Sequence, residues 1–107
     1  MKIDIESLAA KLGFENEEVA MLLEMFLETA HASMQALKVA IEMDDFDAIR
    51  EHAHSIKGSA ANLTLEPLYL AAKTLEEAAK AQQAIDYMQH YAQLEALISE
   101  ISVPEVI

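Results

Sequence analysis

The sequence predicts an all-α protein, an antiparallel up-down four-helix bundle with a short additional N-terminal helix. Two glycines and two prolines interrupt 107 residues, and the rest is rich in Ala, Leu, Glu, Lys, Gln and Met, which lose little on entering a helix. Apolar residues then recur at three- and four-residue intervals along four long stretches joined by short connections. At this length, with 53% hydrophobic residues, one domain over 1–107 has material for a core.

Asp4 is placed to cap a helix over about 5–12, with Gly13 as its stop. Asn16 is expected to cap a helix running to about Met43, whose inward stripe is Val19, Leu22, Leu23, Phe26, Leu27, Ala30, Met34, Leu37 and Ile41. Asp44 or Asp45 turns the chain into a helix over about 46–62 that carries Phe46, Ile49, Ala53, Ile56, Ala60 and Leu63 inward. Pro67 suits the first turn of the next helix, about 67–82, because its missing N–H is not needed there. One helix from Pro67 to Ile101 would be ~52 Å long, so a turn is expected near 82–85. A last helix, about 85–101, then turns Met88, Tyr91, Leu94, Leu97, Ile98 and Ile101 inward, and 103–107 reads as a tail.

Nineteen acidic residues against seven basic give a formal charge of −12. A field of that sign repels phosphate backbones and anionic lipid, which disfavours nucleic acid and membrane surfaces as partners. There is no cysteine, hence no disulfide framework and no thiolate chemistry. The start, Met1 to Glu6, lacks the pattern of a signal peptide, and no apolar run approaches the ~18 residues that span a bilayer. A cytoplasmic monomer is the expectation, one bundle accounting for the apolar stripes.

On the second long helix the polar side gathers Asp47, Arg50, Glu51, His54, Lys57, Gly58 and Ala61. Residues three and four apart share a helical face, so His54, Lys57 and Gly58 form one patch, with an exposed imidazole among the small neighbours Ser55, Gly58 and Ala61. A glycine inside a helix costs about 1 kcal/mol relative to alanine, and nothing local asks for a turn there. Its presence points to something approaching the backbone beside His54. If the first two long helices turn at Asp44-Asp45, facing residue numbers add up to about 89, which sets Gln35 across from His54 as a flanking polar contact. His31, His52 and His90 have no such constellation and read as ordinary surface residues; Ser55 and Ile56 stand three and four residues after His52.

A neutral imidazole is a good nucleophile, and attack on phosphorus gives a phosphoramidate able to pass its phosphoryl group onward. Such transfer depends mostly on positioning and on cations that offset the equatorial oxygens. Lys57 offers one cation and Gly58 offers room. The chain has no glycine-rich phosphate loop, no nucleotide site and no acidic cluster arranged for magnesium, so self-phosphorylation from ATP is not expected.

The stretch Ala53-His54-Ser55-Ile56-Lys57-Gly58-Ser59-Ala60-Ala61-Asn62-Leu63 resembles the signature of the histidine-containing phosphotransfer (HPt) domain, Ala-His-x-(apolar)-Lys-Gly followed by small residues. The likeness covers about 21–100, including Leu22-Leu23-Glu24-Met25-Phe26-Leu27 and Leu75-Glu76-Glu77-Ala78. It implies a four-helix bundle that takes a phosphoryl group from an aspartate of one receiver domain, holds it on histidine and delivers it to another receiver in a two-component phosphorelay. Carried over, His54 is the phosphoacceptor, Lys57 its cationic neighbour and Gly58 the small residue that permits docking, with Ser55, Ala61 and Gln35 as docking candidates. The implied partners are response-regulator receiver domains and a hybrid sensor histidine kinase. The chain is then a carrier rather than an enzyme, without a cofactor or metal of its own, and Mg2+ is supplied in the receiver. The pattern departs at Thr64, where the family commonly has glycine.

Four-helix bundles also house di-iron centres built from Glu-x-x-His pairs, and Glu28-x-x-His31 and Glu51-x-x-His54 match that spacing. Di-iron ligands project into the bundle, whereas both pairs fall on polar faces. A bundle serving only as an adaptor or as a receiver phosphatase is a third reading; binding alone does not need a nucleophile at His54.

Overall fold

The computed structural model describes residues 4–101, and the expected tail at 103–107 lies outside them. Among the described residues there are five helices and no strand: α1 (Ile5–Leu12), α2 (Asn16–Glu42), α3 (Phe46–Asn62), α4 (Glu66–Lys80) and α5 (Tyr87–Ser99). The expected bundle with its short first helix is thus the observed architecture.

The starts follow side-chain capping. The Asp4 carboxylate accepts the N–H groups of Glu6 and Ser7 at 3.1 and 3.3 Å, Asp45 accepts that of Ala48 at 3.1 Å, and Asp86 accepts that of Gln89 at 3.1 Å. At α2 the expectation is corrected. Asn16 is the first helical residue and Glu15 occupies the cap position, donating its N–H to Glu18 Oε1 at 3.0 Å. A glutamate three residues into a helix can reach back to the cap N–H, and that contact draws the start one residue earlier.

The ends share one device. After α1, α2, α3 and α4 a single residue takes the left-handed conformation: Gly13 (φ 75°), Asp44 (φ 54°), Thr64 (φ 56°) and Gln82 (φ 52°). The next N–H then reaches back five residues, as Phe14 to Ala9, Asp45 to Ala40, Leu65 to Ala60 and Gln83 to Ala78, each at 2.9 Å. This is the Schellman closure, which satisfies carbonyls that the helix leaves open. It explains why α3 yields to α4 within three residues, and why α4 stops at Lys80 without a proline or glycine.

In the bundle α2, α3, α4 and α5 each touch their neighbours in a closed ring, without a diagonal pair in contact, and α1 packs on α2. The core holds Val19, Leu23, Leu37, Ile49, Ile56, Leu68, Leu75 and Leu94, all fully buried. Along the α3–α4 seam the buried residues include Ala53, Ala60, Ala72 and Ala79, and side chains this small let two backbones approach closely. Met88 departs from expectation: it is exposed, while Tyr87 beside it meets Phe46 edge to face at 5.8 Å between ring centroids. No described helix is long and apolar enough to cross a membrane.

A β-branched residue in the left-handed region carries a steric cost of roughly 1–2 kcal/mol that glycine avoids. Thr64→Gly is therefore expected to stabilise the fold by about 1 kcal/mol, read as a higher urea midpoint with an unchanged slope.

Candidate functional site

The site lies on the outer face of the α3–α4 seam. Ala53 and Ile56, both buried, fix the rotation of α3, and this turns His54 outward with 68% of its side chain exposed. From α4, Leu75 anchors the core, so that the next residue, Glu76, emerges along the seam with only 13% of its side chain exposed.

Glu76 holds both candidate side chains of α3. Its Oε2 lies 2.5 Å from His54 Nδ1, and its Oε1 accepts from Lys57 Nζ at 2.7 Å. Burial pushes the Glu76 carboxyl up, but hydrogen bonds from Lys57 and His54, together with their charges, more than reverse this and leave it below its ordinary value of 4.5. The Glu76 hydrogen bond raises Lys57 above 10.5, burial opposing it and the charges of Glu76, Tyr69 and Glu77 adding to it. Glu76 is thus an anion and Lys57 a cation. An ionised carboxylate only accepts hydrogen bonds, so the shared proton belongs to Nδ1 of the imidazole. Nε2 has no protein partner among the described residues, and in the neutral ring it is the nitrogen that carries the lone pair.

Gly58 is half-buried beside this cluster. A Cβ built there meets no heavy atom within 4 Å, and its φ is not left-handed. Neither backbone nor packing requires glycine at this position, so the space above it is open to an incoming surface. One turn further on, Ala61 joins Tyr69 and exposed Leu70 around an open apolar depression that reaches Lys11 of α1. Ser55 is exposed but turned about 100° around α3 from His54.

The expectation for Gln35 is corrected. Gln35 lines a separate groove between α2 and α5, with His31, Met34, Tyr91, Glu95, Ile98 and Ser99. His54 turns from the α2–α3 contact toward α4, and its polar partner is Glu76. Reasoning from sequence missed Glu76, although a signal was present: about the α3–α4 turn, facing residue numbers add up to about 130, which sets Glu76 across from His54. His31 and His54 lie on different sides of the bundle, so the two Glu-x-x-His pairs do not converge. Among the described residues no three His, Asp or Glu side chains are grouped as metal ligands.

The family model described as Hpt domain matches residues 21–103. No curated protein and no solved structure matches the chain.

The depressed Glu76 carboxyl contributes stability that is present above its unfolded value and is lost as the pH falls through its folded value. Glu76→Gln should therefore lower the melting temperature at neutral pH, with the difference from wild type shrinking as the pH falls below 4.5. Thermal melts at a series of pH values check this.

Proposed function

Because the chain belongs to the Hpt domain family, which serves histidine phosphotransfer in two-component phosphorelays, we propose that it accepts a phosphoryl group on His54 from one receiver-domain aspartate and passes it to another. The observation that carries this reading is the exposed imidazole with Nδ1 engaged by Glu76 and Nε2 free.

In the loading step the Nε2 lone pair attacks phosphorus. The N–P bond forms as the acyl-phosphate O–P bond breaks, its electron pair leaving with the receiver carboxylate. Delivery is the reverse reaction at a second aspartate. The transferring group is stabilised by cations and by positioning; Lys57 contributes charge beside the ring, and Mg2+ held in the receiver contributes the rest. This chain acts as a carrier that leaves catalysis to its partners. Gly58, Ala61 and the depression at Tyr69 and Leu70 offer a low, apolar approach for a receiver surface. We place the carrier in the cytoplasm as a monomer working with receivers and a sensor histidine kinase.

His54→Gln is expected to abolish the acid-labile, base-stable label acquired from a phosphorylated receiver with magnesium, while leaving helicity intact and changing stability by no more than about 0.5 kcal/mol. Label retained on the variant would remove His54 from the reaction. Gly58→Gln should fold at least as stably as wild type, because its side chain enters open space and leaves a residue that costs about 1 kcal/mol in a helix. It should nevertheless transfer more slowly, since that space is where the receiver comes in. Unchanged transfer rates would defeat the docking role of Gly58.

A further inference from the structure

Among the described residues, Asp44, Thr64 and Gln82 take the left-handed conformation without being glycine. Thr64 is the β-branched one, and a branched Cβ suits that conformation least. The closure of α3 does not ask for it. Both closing bonds, Thr64 N–H to the Ala61 carbonyl at 3.1 Å and Leu65 N–H to that of Ala60 at 2.9 Å, are made by backbone. Glycine would make them without strain. The conformation at this position answers to the fold, but the side chain does not, and residues held so at a cost gather at functional sites.

The Thr64 side chain lines the open depression between α1, α3 and α4, with Lys11, Ala61, Glu66, Tyr69 and Leu70, a space of about 320 Å3. Neither Asp44 nor Gln82 lines it. On the reading that a receiver loads His54, we propose that Thr64 and Lys11 determine which receiver is accepted. An apolar side chain of the receiver seats in the depression, a polar group beside it hydrogen-bonds the Thr64 hydroxyl, and a receiver carboxylate pairs with Lys11.

Continuity with the site supports this occupant. Gly58 and Ala61 are three apart on α3 and share a face, so a surface docked over His54 and Gly58 extends onto the depression. Its floor of Ala61, Tyr69 and exposed Leu70 is apolar, whereas its rim carries charge. Lys11 stands in the last turn of α1, a helix that buries Leu8 and Ala9 and packs on α2. Lys57 is paired with Glu76, but no carboxylate makes an ion pair with Lys11 among the described residues. In a chain of net charge −12, an ammonium left unpaired beside an apolar depression favours an anionic group on the partner. Glu66, contributed by α4, disfavours that same anion on its own side. A partner is therefore selected by the order of its charges as well as by fit.

The test uses the full chain and whichever receiver domain of a panel labels wild-type His54 fastest with magnesium. Initial transfer rates are measured against the concentration of phosphorylated receiver for wild type, Thr64→Gly, Thr64→Ser and Lys11→Gln. Thr64→Gly should raise KM about three- to tenfold, the loss of one hydrogen bond. Thr64→Ser restores the hydroxyl and should recover most of that change. A damaged fold would not imitate this pattern, because Thr64→Gly is the variant expected to be more stable than wild type. Lys11→Gln should raise KM about two- to fivefold at low salt, with the difference vanishing at high ionic strength. A wild-type KM in either Thr64→Gly or Lys11→Gln would overturn the inference while leaving His54 as the carrier. Failure of every receiver to label wild-type His54 would instead overturn the reading on which it rests.

Discussion

The close approach of α3 and α4 is the constraint on which the site depends. Ala53 and Ala60 on one helix and Ala72 and Ala79 on the other leave no bulk at the seam, so residues flanking it can touch across it. Glu76 reaches both His54 and Lys57 for that reason. A larger side chain at these alanines would act on the chemistry through distance alone, by lifting α4 from α3 without altering a polar atom. The core beneath and the reactive surface above are two consequences of one packing arrangement.

The same seam organises charge. In a chain of net charge −12, Lys57 is paired with the half-buried Glu76 carboxylate, not held out to solvent, and in the resting protein its cation is already engaged. In the proposed function an arriving phosphoryl group meets a carboxylate and an ammonium, Glu76 and Lys57, that already offset each other beside the ring. On that proposal, affinity for a donor would come from shape and apolar contact along Gly58, Ala61, Tyr69 and Leu70, and the electrostatic work of transfer would fall to groups the partner brings.

Much of this was legible in the sequence because helices announce themselves by period. The stripe of α3 at Ile49, Ala53, Ile56 and Ala60 was enough to turn His54 outward, and Asp4 and Asp45 stand where caps are needed. What was not legible had two physical causes. Helix ends closed by a left-handed residue are visible only when that residue is glycine: Gly13 was readable, whereas Asp44, Thr64 and Gln82 adopt the same conformation with side chains that do not advertise it. Thr64 marks the point where the sequence departs from the resemblance, and the structure shows why glycine would be comfortable there. The second cause is that partners across a seam depend on which neighbour a residue faces. Register about the α2–α3 turn selected Gln35, yet a rotation of His54 toward α4 replaced it with Glu76.

Gly58 shows how fold and function separate at this site. Every other special position in the bundle answers to the fold: a cap, a left-handed closure or a buried alanine each satisfies a local physical demand. Gly58 answers to none, since its backbone is ordinary helix and a methyl group there would touch nothing. By propensity alone alanine would make the better helix, by about 1 kcal/mol. A residue that weakens its own helix and leaves open space beside an exposed nucleophile is accounted for only by something outside the chain. On the proposed function that demand is steric, made by a receiver surface that has to bring a phosphorus atom within bonding distance of His54 Nε2.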